Sequence, residues 1–283
     1  MMNYMFSAFA DESSNSFSGQ MDALKRNDFS FLEIRNLEGR NITEFSVVEA
    51  RELSHIMDDN GLKVWSVGSP IGKIQIEDDF KAHLDLYRHT LDIVRELGAQ
   101  NVRLFSFFMP KNTAPEKFRN LVLERMAIFA DIANEYGVVP CHENEKGIYG
   151  DVASRCLEIH QLVPGMKAVF DPANFVQCDQ DTLEAWEMLR SYVHYMHIKD
   201  ALPNGCIVAP GMGHGNLSTL IVKYLAQGGK VLSLEPHLFE FVGLKDLEQE
   251  GDESIVGTMS FASAEAAFDY AADTLKKLLE GLA

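Results

Sequence analysis

Apolar positions along this chain follow two alternating rhythms. Eight short runs, YMFSAFA, SFLEIRN, LKVWSVGS, NVRLFSFF, GVVPCHE, KAVFDPA, VHYMHIKD and KVLSLEP, are rich in β-branched and aromatic residues and read as strands. Between them, segments such as Phe80 to Leu97 and Pro115 to Tyr136 carry the three-and-four spacing of a helix with one apolar face. Gly61, Gly98, Gly137 and Gly229 stand just before a following strand, where a residue without Cβ ends a helix and turns the chain. After Ser263 as N-cap, Ala267, Phe268, Ala271, Leu275 and Leu278 share one face of a closing helix. Strand and helix alternate at roughly thirty-odd residues per unit with no linker-like break, which predicts one domain over residues 1–283, a single (β/α)8 TIM barrel in the α/β class. A doubly wound sheet also alternates strand and helix, but its nucleotide signatures are missing: no GxGxxG follows the first strand and no GxxxxGK[ST] occurs.

In a barrel the chemistry lies where strands end. The fifth strand closes on Glu143, the sixth on Asp171, the seventh on His197 and the eighth on Glu235. Period-two alternation puts Val139, Cys141 and Glu143 on one face, with His142 on the other. It likewise groups Tyr195, His197 and Lys199 opposite His194, and turns Ser233 inward below Glu235. Three carboxylates and an imidazole crowded at one rim would repel and shift one another unless a cation compensated them, so a divalent metal is expected on these four residues. Mostly oxygen ligation with one imidazole favours Mn2+, with Mg2+, Co2+ and Zn2+ as alternatives. His194 is expected to pack beneath a helix.

Composition narrows the partners. With 46% hydrophobic residues among 283, the chain can bury a large core. A formal charge of −17, from 42 acidic against 25 basic residues, disfavours nucleic acid and suits a small polar substrate. The N-terminus MMNYMFSAFADE has no basic region followed by an apolar run, and no stretch of transmembrane length occurs. Together with four cysteines that form no CxxC pair, this predicts a soluble, cytoplasmic protein without membrane association.

The motifs "CHENEKGIYGD", "FDPANF", "MHIKDA" and "LEPHL", in that order, with "FSAFADE" and "FLEIRN" before them, resemble the xylose isomerase-like superfamily of sugar phosphate isomerases and epimerases, which includes endonuclease IV. The resemblance covers essentially the whole chain; its ordered motifs are specific for the superfamily and not for one reaction. It implies that Glu143, Asp171, His197 and Glu235 bind a divalent metal, and the 26-residue step from Asp171 to His197 is similar to that of ketose 3-epimerases. In those relatives the two corresponding glutamates also serve as acid and base, which implies the same for Glu143 and Glu235. Two positions depart from that pattern. Asn174 stands where the epimerases carry histidine, and Pro203 where arginine is frequent, so sugar identity and epimerisation itself stay open.

Flanking residues supply further candidates for substrate contact: Asn174 through its amide, Lys199 as a holder of phosphate or carboxylate, His237 continuing the inward series, and His142 if the strand end twists. Lys199 paired with Glu145 or Asp200 is the alternative. Arg35 reaches substrate or joins Glu33 in an ion pair at the barrel end, the latter being the expectation for Glu33. "GMGHGN" either lets a phosphate approach the backbone or turns the chain before the helix at Leu217, the turn being favoured.

The leading function class is an enzyme, a divalent-metal-dependent isomerase or epimerase of a monosaccharide or close derivative, working through an enediolate held on the metal. A lyase, dehydratase or hydrolase on the same barrel is the alternative. A non-catalytic sugar-binding protein is disfavoured by retention of both glutamates, and the endonuclease IV version by the charge. A homo-oligomer is compatible with the sequence.

Overall fold

The computed structural model describes residues 4–242, 244, 255–256 and 259–282. Each of the eight apolar runs forms a strand: β1 Met5–Ala8, β2 Phe31–Ile34, β3 Lys63–Gly68, β4 Asn101–Leu104, β5 Val139–Glu143, β6 Lys167–Phe170, β7 Val193–Ile198 and β8 Val231–Leu234. They pair in parallel, each with its sequence neighbours, and β1 closes on β8 with Met5 opposite Val231. The architecture is the closed (β/α)8 barrel.

The helices α1 Phe17–Arg26, α2 Val47–Asp59, α3 Phe80–Glu96, α4 Arg119–Tyr136, α5 Ala153–Leu162, α6 Pro172–Gln177, α7 Thr182–Leu189, α8 Leu217–Ala226 and α9 Ala264–Glu280 follow the strands in turn. Their start and stop signals are those of the sequence. Ser263 Oγ accepts from the Ala266 amide at the head of α9, and Gly61, Gly98 and Gly137 adopt positive φ after α2, α3 and α4. Before β8 the left-handed position falls one residue earlier than expected, on Gly228. A Cβ at Gly229 would instead collide with the Tyr224 ring. The Pro115 segment begins as a 3-10 turn over Pro115–Phe118 and becomes α-helical only at Arg119.

Alternation sorts each strand into two environments. Leu32, Ile34, Leu232 and Leu234 face the helices in the main core, while Cys141, Val169, Tyr195 and Val231 form a small separate cluster within the barrel. Above that cluster the interior turns polar, with Ser66, Glu33, Ser233 and His197 all fully buried. Two clefts, of about 330 and 490 Å3, open around Trp65 at the opposite end of the barrel, away from these residues. His194 lies at that lower end, stacked on Trp65 and 2.8 Å from Asn101 Oδ1, rather than beneath a helix. No helix among the described residues is long and apolar enough to cross a membrane.

Candidate metal centre

Register delivers four side chains to one point. Glu143 is the last residue of β5, Asp171 the first beyond β6, His197 lies in β7 opposite Ser233 of β8, and Glu235 directly follows β8. One donor atom from each lies within 4.8 Å of the others, and all four residues are buried. From His197 Nδ1 the distances are 2.9 Å to Glu143 Oε1, 3.3 Å to Glu235 Oε2 and 3.9 Å to Asp171 Oδ2.

The surrounding contacts aim these atoms inward. Asp171 caps α6 with Oδ1, which accepts from the Asn174 amide, so Oδ2 is left to face the cluster. Asn144 clamps the same residue, Oδ1 accepting from the Asp171 amide and Nδ2 donating to its carbonyl, each at 2.9 Å. His197 Nε2 lies 3.2 Å from Glu33 Oε2, and Glu33 also accepts from Tyr195 Oη at 2.7 Å and Ser233 Oγ at 2.6 Å. A proton kept on Nε2 by that carboxylate leaves Nδ1 to offer its lone pair to the cluster, the arrangement by which a carboxylate orients a metal-binding histidine.

The donor set passes a chemical test for a divalent cation. Three carboxylates and an imidazole are deeply buried, and Glu143 Oε2 and Asp171 Oδ2 accept no directed hydrogen bond. Each faces a cation as a bare charge, Arg103 Nη1 at 3.2 Å and Lys199 Nζ at 2.9 Å. Burial alone would raise every carboxyl here. It prevails at Asp171, raised to about 7 against the pull of Lys199, whereas His197 and Arg103 outweigh it at Glu143, lowered to about 2. Glu235 is lowered well below the usual carboxylate range, burial being overcome by Lys199 and His197. Burial opposes the imidazolium of His197, but Glu143, Glu33 and Glu235 overcome it and raise the group well above its ordinary value. A cation at this point would replace the Nδ1 proton.

The remaining candidates separate clearly. Lys199 shares the cluster, its Nζ 2.9 Å from Asp171 Oδ2 and 3.2 Å from Glu235 Oε2, so it pairs with neither expected partner. Glu145 pairs instead with Lys73, and Asp200 accepts from the amides of Ala201, Gly211, Gly213 and Gly215. That internal carboxylate occupies the glycine-rich loop, whose three glycine amides it holds, so the loop is built as a turn around Asp200. Asn174 reaches the site but is already engaged, Nδ2 donating to Glu143 Oε1 at 3.3 Å and to the Asn144 carbonyl at 2.9 Å. His237 sits beside the cluster, its amide donating to Glu12 Oε2.

Two expectations change. His142 does not join the site: its Nε2 bonds Ser106 Oγ at 3.0 Å and its ring packs edge-on to His160, because the strand end keeps its alternation and turns the ring outward. Arg35 does not pair with Glu33. Its guanidinium holds Asp11, Glu12 and Glu235 between the rings of Phe9 and Phe241, while Glu33 points down the barrel axis to hydroxyls and an imidazole. Arg35 thereby supplies the cation for the neighbouring Glu12, Glu235 and His237 group. Burial raises Glu12 to about 8 even against Arg35.

Sequence reasoning passed over Arg103, Asn144 and Lys73, all at the rim. The first had a visible signal, a charged residue on the inward face of the apolar run NVRLFSFF, in register with Asn101. Asn144 and Lys73 lie on loops, where period gives no direction.

The chain belongs to the xylose isomerase-like TIM barrel family, whose model matches residues 21–249. It is similar in structure to an L-ribulose 3-epimerase, with a TM-score of 0.77 at 17% identity over 100% of this chain and 96% of that one. It also resembles the IOLI protein with a bound zinc atom, with a TM-score of 0.74 at 16% identity over 99% of both chains. A third neighbour is a probable 3-DHS dehydratase involved in petrobactin synthesis from Bacillus anthracis, with a TM-score of 0.72 at 13% identity over 96% of this chain and 98% of that one. No curated protein gives a significant sequence match. Identities this low carry the fold alone, and the chemistry has to come from the site.

Proposed function

We propose that this protein is a divalent-metal-dependent isomerase or epimerase of a monosaccharide or close derivative. The observation that carries the reading is the convergence of Glu143, Asp171, His197 and Glu235, from four successive strand ends, on donor atoms within 4.8 Å of one another. These residues would hold the ion, with Mn2+ favoured by the oxygen-rich donor set. The chemistry it would supply is polarisation of a carbonyl, which lowers the barrier to removing a proton from the adjacent carbon.

The protein's own groups would do the rest. Glu143 and Glu235 approach from separate strands, and the surrounding cations keep both ionised, the form a carboxylate needs to accept a carbon-bound proton. One would remove it from one face, and the other would return a proton to the neighbouring carbon or the opposite face. Asn174 fixes the Glu143 carboxylate through Nδ2, and Asn144 fixes the main chain around Asp171. All four donors are buried, which strengthens the electrostatic interactions among them.

A lyase or dehydratase is the second reading, favoured by one observation: the Lys199 ammonium lies within the cluster, placed to give a proton to a departing hydroxyl. A reducing cytoplasmic setting agrees with four free cysteines, of which Cys141, Cys156 and Cys206 are buried.

The test is solvent deuterium uptake at the carbon beside the carbonyl, with a panel of ketoses and keto acids and saturating Mn2+. Glu143→Gln and Glu235→Gln should each lower turnover by about 10²–10⁴ with Mn2+ still bound. Near-normal turnover in both would refute the two-glutamate mechanism. Loss of a hydroxyl with no isomerised product would select the lyase.

A further inference from the structure

Between the two glutamates stands a cation whose part in substrate binding has not been considered so far. Arg103 rises from β4 with its Nη1 3.2 Å from Glu143 Oε2 and 3.7 Å from Glu235 Oε1. Its side chain is 2% exposed, its Nη2 donates to the Ser69 carbonyl at 3.4 Å, and its buried Nε has no hydrogen-bond partner. The guanidinium lies against the rings of Phe9 and Phe105, at 5.2 and 4.7 Å. A compound whose reacting carbon sits between Glu143 and Glu235 has to lie against this guanidinium.

The electrostatics specify what that compound carries. The two carboxylates nearest Arg103 are also two of the four proposed ligands, so a divalent ion drawing on their charge would leave a buried guanidinium short of compensation. A guanidinium does not give up its proton in a protein, so this buried side chain remains a cation and needs an anion beside it. A second cation stands close by. Lys73 Nζ lies 4.3 Å from the same Phe105 ring, paired with Glu145. The loop that brings it there depends on Gly72, whose φ of +90° and approach to the Phe105 carbonyl leave no room for a Cβ.

We propose that Arg103 is the substrate-binding and specificity-determining residue of this site, and that the substrate is an acidic sugar derivative or keto acid whose carboxylate it holds beside the two glutamates. The proposal rests on the metal reading above and narrows its substrate from carbohydrates in general to carboxylate-bearing ones. A planar carboxylate matches the guanidinium fork, and its oxygens would give the orphaned Nε a partner.

A matched pair of probes tests this on the full-length protein. Pyruvate and hydroxyacetone share a methyl ketone and differ in a carboxylate against a neutral hydroxymethyl group. Mn2+ binding is followed by electron paramagnetic resonance, and each probe is then titrated against the loaded wild type, Arg103→Met and Arg103→Lys. Pyruvate should bind the wild type about ten- to a hundredfold more tightly than hydroxyacetone, as a charge-assisted pair requires. The preference should collapse in Arg103→Met and be partly kept in Arg103→Lys, with Mn2+ bound in all three. A preference unchanged in Arg103→Met would show the carboxylate held by the metal alone, and equal binding of both probes to the wild type, or none of pyruvate, would also overturn the proposal. A wild type that binds no Mn2+, yet prefers pyruvate through Arg103, would overturn the metal reading and leave the carboxylate site standing. Should Arg103→Met fail to fold, the Arg103→Lys ratio decides: the full wild-type preference overturns the proposal, and a reduced one supports it.

Discussion

Replacing Glu33 by glutamine isolates the control of the proposed metal ligand His197 by a residue outside the donor set. Glu33 is fully buried and accepts three hydrogen bonds: Tyr195 Oη on Oε1, and Ser233 Oγ and His197 Nε2 on Oε2. Glutamine can keep its carbonyl oxygen at the Oε2 position, towards Ser233 and His197. Its amide then faces Tyr195, whose hydroxyl can rotate to accept it and donate to Ser66 Oγ, 3.2 Å away. The packing therefore survives and what disappears is the negative charge behind His197. Such partners of a ligand histidine are worth about 10- to 100-fold in metal affinity, or roughly 1.4–2.8 kcal/mol at 1.4 kcal/mol per decade. Isothermal titration of the metal-stripped protein with Mn2+ should show that loss in Glu33→Gln, with thermal unfolding close to wild type. Glu33→Ala strands two buried donors, Ser233 Oγ and His197 Nε2, at about 1–3 kcal/mol each, so it should be destabilised by at least about 2 kcal/mol as well as binding metal poorly. A folded Glu33→Gln protein that binds Mn2+ within about twofold of wild type, well short of the expected decade, would refute the account of His197.

Other outcomes follow from the same contacts. Asp171 is raised to about 7 by burial against Lys199, and protons on it and on His197 compete with a cation, so Mn2+ affinity should rise with pH across the range around 7, with proton release seen as buffer-dependent heat. Affinity that falls with rising pH there would contradict the assignment. Asp200→Ala removes the acceptor for four backbone amides and should lower the melting temperature with Mn2+ affinity unchanged; a wild-type melting temperature would show that the glycine loop is held otherwise. His142→Ala should destabilise the protein without changing Mn2+ affinity, and loss of metal in a folded variant would place the ring in the site after all.

The sequence alone carried the barrel and the donor set. Period two, period three-and-four and glycine punctuation are local properties, so each strand and its inward face could be read from neighbouring residues, except at His194, where the pairing of β6 with β7 shifts register. Glu143, Asp171, His197 and Glu235 were legible for the same reason: a strand end in a barrel has a fixed place, and alternation says which side chains turn in. His142 misleads only if alternation is relaxed at the strand end. What lies beyond local periodicity was decided by the tertiary structure. Closing the barrel brought Glu33 of β2 to His197 of β7 and to Ser233 of β8, sequence separations of 164 and 200 residues that no local pattern connects. The same closure set Arg35 against Asp11, Glu12 and Glu235, gave the glycine loop to Asp200, and stood Arg103 between two glutamates. Charges in a low-dielectric interior choose partners by distance in space, and those distances exist only once the barrel has closed.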